Sequence, residues 1–156
     1  AIALGFRVTA DAAEINAQIA MAEQIGKEVR TICMRAIPKR GIFESMVNCM
    51  HNDGRRDTRL PVGSVNCSFL FTPTTVPAGF DSGKATTEIG TSIKILADKF
   101  KYPFYSSTCR YATLKRANNL PPGGIRCSIT ISPHEPPASR FPPPPPPLPP
   151  PVSSRY

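Results

Sequence analysis

Five cysteines are the residues of this chain with the most distinctive spacing. Cys49 and Cys67 are 18 residues apart, and Cys109 and Cys127 are separated by the same 18 residues. Each pair falls on two successive predicted strands, so the spacing predicts two cross-strand disulfides, each worth about 3 kcal/mol through loop-closure entropy. A four-cysteine metal site would need close C-x-x-C pairs, which the sequence lacks. Two disulfides in a small chain indicate an oxidising compartment.

The chain also contains an internal repeat. Residues 60–68 (LPVGSVNCS) align with residues 120–128 (LPPGGIRCS) at an offset of 60, which also relates the two cysteine pairs. Upstream, a different offset aligns two further dipeptides: Gly5-Phe6 with Gly79-Phe80, and Glu14-Ile15 with Glu88-Ile89. Matches in the same order with the same cysteine spacing predict a duplicated module.

Cys33 has no partner in this scheme. We expect it to be a buried thiol on a helix rather than an intermolecular bridge, because apolar Ile93 occupies the matching position in the second copy. Catalysis by Cys33 would need a nearby base, and the two histidines are His51, in a predicted loop, and His134, in a proline-rich segment. The sequence lacks a Ser-His-Asp or Cys-His pattern, a glycine-rich phosphate loop and an HExxH motif. It therefore predicts no enzyme activity, no metal site and no cofactor.

The first copy is predicted to have the order β-α-β-β. A period-two pattern predicts a first strand with Ile2, Leu4, Phe6 and Val8 on one face. Asp11 and Glu14 match a capping box, which predicts the start of a helix there. The apolar stripe of this helix would contain Ile15, Ile19, Ala22, Val29 and Cys33. Two strands follow, near residues 42–50 and 65–71, the second with Val65, Cys67, Phe69 and Phe71 on one face.

The second copy repeats these patterns. Its helix would bury Ala85, Ile89, Ile93, Leu96 and Phe100, and its strands lie near residues 104–116 and 125–131. Interleaved strands and helices of this kind predict an α+β fold, an antiparallel sheet with the helices packed on one face. We expect the first repeat at residues 1–77 and the second at residues 78–137, together forming one joint domain, and a proline-rich tail at residues 138–156.

The predicted N-terminal strand has two possible partners. It would pair either with its own sheet or with the sheet of a neighbouring subunit, and strand addition of the second kind builds fibres. We favour its own sheet, because the second copy has a counterpart at residues 79–80.

The tail contains nine prolines in ten residues. A run of this kind adopts polyproline II, a rod rising about 3.1 Å per residue and here roughly 30 Å long. It would act as a spacer, a ligand or a scaffold for modification. Similar runs bind SH3, WW, EVH1 or profilin-like partners, an alternative that fits poorly with disulfides. The candidate hydroxylation and O-glycosylation sites are Pro142, Pro143, Pro144, Pro145, Pro146, Pro147, Pro149, Pro150 and Pro151.

A family resemblance rests on the junction between module and tail. A cysteine-containing α/β module that ends in CSITISP (residues 127–133) and passes into a proline run resembles the pherophorin-type hydroxyproline-rich glycoproteins of green algae. It is similar, more loosely, to other algal wall and flagellar-hair glycoproteins. The resemblance implies a role in an extracellular matrix or filament, hydroxylated tail prolines, and arabinose- or galactose-type glycans on them.

Charge and export features bear on partners and location. The net charge of +8 favours acidic partners. Candidate polysaccharide contacts are the basic residues of two equivalent loops, Arg55, Arg56 and Arg59 in one and Lys115 and Arg116 in the other. Nucleic-acid binding is less favoured, because aromatic residues are not interleaved with these basic residues. No apolar run is long enough for a membrane span, and a chain that begins at Ala1 is expected to be either mature, with its export signal removed, or truncated.

Asn66 is a candidate N-glycosylation site, because Asn66-Cys67-Ser68 satisfies the acceptor rule. Strand alternation predicts that Asn66 points to solvent, and an unused acceptor is an equally good interpretation.

Taken together, these features predict a secreted structural subunit that assembles into an extracellular matrix or filament and carries covalent glycans. A carbohydrate-binding module on a stalk is the alternative. It has weak support, because the chain has no Trp and four Tyr from which to build an aromatic platform.

Overall fold

The computed structural model describes residues 2–52 and 61–135. Its elements follow the chain in the order α1 (Ile2–Ala36), β1 (Phe43–His51), β2 (Val65–Pro73), α2 (Ser82–Lys99), β3 (Phe104–Tyr111) and β4 (Ile125–Ser132). The proline run of the tail and three of the candidate polysaccharide contacts, Arg55, Arg56 and Arg59, lie outside the described residues.

The four strands form one antiparallel sheet in the order β1-β2-β4-β3. This confirms the prediction of an α+β fold with two helices and an antiparallel sheet. Alternate residues of the central strands β2 and β4 are buried and join the apolar faces of both helices in one core. The clean alternation at Val65, Cys67, Phe69 and Phe71 is thus explained by packing on one face of the sheet.

The two copies are related by an approximate two-fold axis. β2 pairs with β4 so that Ser68 lies opposite Ser128, the residue 60 positions later. The turns that precede these strands are alike, because Ser64 and Gly124 donate their backbone N–H groups to the carbonyls of Pro61 and Pro121, at 3.0 and 2.9 Å. Each turn needs a glycine with positive φ, 87° at Gly63 and 79° at Gly123.

The helices keep the same offset of 60. The buried residues Ala22, Ile25, Val29, Cys33 and Ile37 correspond to Ser82, Ala85, Ile89, Ile93 and Ala97, which are also buried. The second offset, inferred from residues 5–6 and 14–15, is therefore wrong. The match at residues 5–6 places residues of α1 on the turn before α2, whereas the pattern of burial follows a single offset of 60.

The predicted N-terminal strand is also wrong. Residues 2–8 belong to α1, which continues through Asp11 without a break, so the capping box there does not start a helix. Extending a helix costs little once it has formed, and the long run to Ala36 contains no proline, so α1 overrides a short alternating pattern. The counterpart at residues 79–80 is a turn. The order is therefore α-β-β in each copy, and the choice between two strand partners no longer arises.

Helix α1 is longer than α2 at its N-terminal end. Ala22 corresponds to the first residue of α2, so the segment from Ile2 to Met21 has no equivalent in the second copy. At a rise of 1.5 Å per residue this segment adds roughly 30 Å. Ile15, predicted to be part of the buried stripe, is 41% exposed, and Ile19 is partly buried. The stripe therefore becomes fully buried only from Ala22 onward, where the sheet lies beneath the helix.

The remaining differences from prediction are small. β3 ends at Tyr111 rather than near Arg116, because the chain turns there into a loop with positive φ at Asn118 and Asn119. Phe100, at the end of α2, is partly rather than fully buried. No helix within residues 2–52 and 61–135 has the length and apolar character needed to cross a membrane.

Candidate functional site

Both predicted disulfides are present. Cys49 lies directly opposite Cys67 in the β1–β2 register, and Cys109 lies directly opposite Cys127 in the β3–β4 register. The Cα–Cα distances are 4.0 and 4.1 Å, which identifies both as non-hydrogen-bonded pairs of the ladder. Each bridge therefore joins an edge strand to its central neighbour, at equivalent places in the two copies.

Cys33 is a buried core residue, as expected. Its side chain has no exposed surface, and burial raises the pKa of its thiol from 9.0 to about 12. A thiol with a raised pKa is a weak nucleophile at neutral pH. Its burial excludes an intermolecular bridge from the folded chain.

The histidines lie at or just beyond the ends of two strands. His51 ends β1 and His134 follows β4, and both are exposed. In the part of the chain that the structure describes, no group of three His, Cys, Asp or Glu side chains is placed to hold a metal ion.

A cleft of about 470 Å³ lies between α1 and the edge strand β1. Its lining includes Gly26, Arg30 and Cys49, and Arg30 donates a hydrogen bond from Nη2 to the carbonyl of Val47 at 3.1 Å. Because Val47 is at a non-hydrogen-bonded position, this carbonyl points away from β2, and Arg30 covers part of the β1 edge.

The equivalent position on α2 is Gly90, and a Cβ built there would meet nothing within 4 Å. The carbonyl of Ser107, which is equivalent to that of Val47, accepts no such hydrogen bond from a guanidinium group of a described residue. The β3 edge is covered instead at its end, where Asn118 donates from Nδ2 to the carbonyl of Tyr111 at 2.9 Å. The two edges of the sheet therefore differ.

Among the described residues, no helix or strand covers the outward face of the sheet. We call it the open face. Both helices pack on the opposite face, and the side chains of the open face are exposed or half-buried. It consists of Glu44, Met46, Asn48 and Met50 of β1, Asn66, Ser68, Leu70 and Thr72 of β2, Arg126, Ser128 and Thr130 of β4, and Phe104, Ser106, Thr108 and Arg110 of β3.

Two arginines are adjacent on this face. Arg110 and Arg126 are directly opposite each other in the β3–β4 register, and both are exposed. The four strands contain one acidic residue, Glu44, which lies on the far edge strand β1. With strands about 4.8 Å apart, the nearest part of β1 is roughly 10 Å from β4.

Three of the candidate site residues inferred from the sequence, Asn66, Lys115 and Arg116, lie among the described residues. Asn66 is exposed on the open face, as predicted, opposite Met50 and Thr130. Lys115 and Arg116 are exposed in the loop that follows β3. Neither N-glycosylation nor polysaccharide contact follows from exposure alone, and both remain predictions.

Sequence reasoning missed the pair formed by Arg110 and Arg126. A signal was present, because each arginine is next to a cysteine of the same disulfide. Pairing Cys109 with Cys127 in an antiparallel ladder places residues 110 and 126 opposite each other, and alternation turns both outward.

Comparison with known proteins gives no match to any family model, to any curated protein or to any solved structure. Function is therefore inferred from the residues and geometry of this chain.

Proposed function

We propose that this protein is a structural subunit of an extracellular glycoprotein matrix or filament, and that its polyproline tail is hydroxylated and O-glycosylated. The observation that carries the proposal is the pair of disulfides at equivalent positions in the two copies. Bridges of this kind persist in oxidising surroundings and are rare in the cytosol. They argue against a cytoplasmic ligand for proline-recognition domains.

The disulfides also suit a part that bears load. Each one closes the hairpin that holds an edge strand, and edge strands are the least supported part of a sheet. The module would therefore resist local opening where a neighbouring subunit is most able to act on it.

The proline run supports the second half of the proposal. Nine prolines in ten residues, from Pro142 to Pro151, favour an extended rod of roughly 30 Å that follows the module. A rod of this kind has no core of its own and separates modules or carries modifications. The resemblance to pherophorin-type glycoproteins points to the same role.

The unequal edges of the sheet support assembly with a second copy. Arg30 covers a carbonyl in the middle of the β1 edge, whereas the β3 edge has Gly90 at the matching helix position and a free space beside it. Unpaired edge groups are templates for pairing with another chain. We infer that β3 is the edge that takes part in self-association.

Fractionation of the native material tests this function. The protein should be recovered from the cell surface or surrounding matrix as an assembly, and electron microscopy of that fraction should show filaments or a network that antibodies to this chain label. Recovery as a cytosolic monomer with reduced cysteines would refute the proposal.

A pair of proline variants tests the role of the β3 edge. If subunits associate along this edge, Ser107→Pro should lower assembly, because it removes a backbone donor that points away from β4. Thr108→Pro, at a hydrogen-bonded position, should instead unfold the hairpin.

A further inference from the structure

We propose that Arg110 and Arg126 form a binding site on the open face for the sulfate or carboxylate groups of an acidic polysaccharide. The inference takes its biological setting from the proposed matrix function. The binding itself is a property of the folded sheet and needs no tail modification.

The register places the two guanidinium groups side by side. The neighbouring disulfide pair is non-hydrogen-bonded, so Arg110 and Arg126 occupy the next, hydrogen-bonded position, where opposite Cβ atoms are about 5.5 Å apart. Two arginines at this separation are able to contact one anionic group together or two groups on neighbouring sugars. Guanidinium forks match carboxylate and similar oxyanions with paired hydrogen bonds.

No acidic side chain of the sheet competes for this site. In the row that crosses all four strands, Arg110 and Arg126 are followed by Leu70 and Met46, both apolar. Neither arginine side chain has a hydrogen bond or ion pair with another described residue. The pair is therefore a local concentration of positive charge, open to solvent.

The first copy shows that the fold does not require this charge. The equivalent residues, 60 positions earlier, are Met50 and Asn66, which face each other in the β1–β2 register. The same sheet position therefore folds with an uncharged pair. Like charges placed directly opposite each other destabilise a sheet, so the arginines carry a cost that packing does not explain.

The surroundings favour a carbohydrate polymer over a nucleic acid. Ser128 and Thr108 form the next row of the face, and their hydroxyls can hydrogen-bond to sugars. Beyond Tyr111 the loop carries exposed Lys115 and Arg116. Phe104 is the single aromatic residue of the open face, and it lies at the far end of β3, so a platform on which successive bases could stack is missing from this face.

A binding measurement on the full chain, produced with an unmodified tail, tests the site. The probes are dextran sulfate, polygalacturonate, neutral dextran and single-stranded DNA. The test variant is Arg110→Gln/Arg126→Gln, since asparagine at position 126 would create a new glycosylation acceptor. The control variant is Lys84→Gln/Lys94→Gln, which removes the same charge from exposed positions on α2.

We expect the wild-type chain to bind dextran sulfate or polygalacturonate but not dextran. The arginine variant should bind at least ten-fold more weakly and with a shallower salt dependence, because fewer counterions are released. The lysine variant should change binding less than three-fold. Stronger binding to one acidic probe identifies sulfate or carboxylate as the preferred group.

Three results would overturn the inference: equal losses in the two variants, which would indicate a net-charge effect; binding of DNA as tight as that of the acidic polysaccharides; or no binding to either polysaccharide. A failure here leaves assembly and location of the native material intact, so it is distinguishable from a failure of the proposed function.

Discussion

The two copies of the module share one pattern of buried residues but differ in the side chains that they place on the open face. Residues 61–71 match residues 121–131 in burial at every position, and even the hydrogen bonds of the turns before β2 and β4 recur. On the open face the same offset pairs Met50 with Arg110 and Asn66 with Arg126. The contrast indicates that packing limits what the core accepts, while the face is free to acquire separate chemistry in each copy.

The largest effects should come from core truncations at equivalent positions. Phe71 and Ile131 are both fully buried, and Phe71 also contacts Phe43 and Phe80, with ring centroids 5.2 and 5.5 Å away. We expect Phe71→Ala to lower the free energy of unfolding by about 4 kcal/mol and Ile131→Ala by about 3 kcal/mol. Urea unfolding checks this, with Phe71→Leu as a milder control. A larger loss for Ile131→Ala would contradict the described aromatic cluster.

Removing either disulfide should have the same effect in each copy. The bridges Cys49–Cys67 and Cys109–Cys127 close loops of equal length, so replacing either pair by alanines should cost about 3 kcal/mol. Chemical denaturation of the two double variants gives the comparison. A loss of stability in only one of the two double variants would show that the bridges do not contribute equally in the two copies.

Cys33 should make the stability of the folded chain depend on pH in the alkaline range. Ile93, at the same position of the second copy, contributes no such dependence. The folded pKa of Cys33 is raised by burial to about 12 from 9.0, so the stabilisation is complete below pH 9 and is lost as the pH rises toward 12. Relative to Cys33→Ala, the wild-type chain should lose about 1.4 kcal/mol per pH unit within that window. Parallel pH profiles of the two proteins would contradict the burial of the thiol.

The smallest expected effect is a gain in stability. Arg110→Gln/Arg126→Gln removes a like-charge pair and should stabilise the sheet by about 0.5 kcal/mol at low salt, with less effect at high salt. Thermal unfolding at two ionic strengths measures it. Destabilisation would mean that the arginines have a structural role, which would weaken their assignment as a binding pair.

The sequence was informative where one physical cause dominates. The strict alternation at Ile125, Cys127, Ile129 and Ile131 has one explanation, burial on one face of a sheet, and the equal cysteine spacing fitted two hairpins. The alternation at residues 2–8 predicts a strand, but the cooperativity of a long helix overrides it. A local pattern carries no information about how far a helix extends past the sheet that buries it, so the exposure of Ile15 was not predictable.

The candidate site was only partly predictable. Exposure of Asn66 followed from alternation, whereas Arg110 and Arg126 are 16 residues apart and form no basic cluster in the sequence. The juxtaposition of Arg110 and Arg126 depends on strand register, which the cysteine pair supplies once its bond is accepted.

Peptide mass mapping of the protein isolated from its natural source, without reduction, tests the central claim most directly. The account predicts both disulfide-linked peptide pairs together with oxygen and pentose or hexose additions on the peptide that contains Pro142 to Pro151. Pro61 and Pro121, in the folded turns, should be unmodified and serve as internal controls. Reduced cysteines with an unmodified proline run would contradict the account of an extracellular structural glycoprotein.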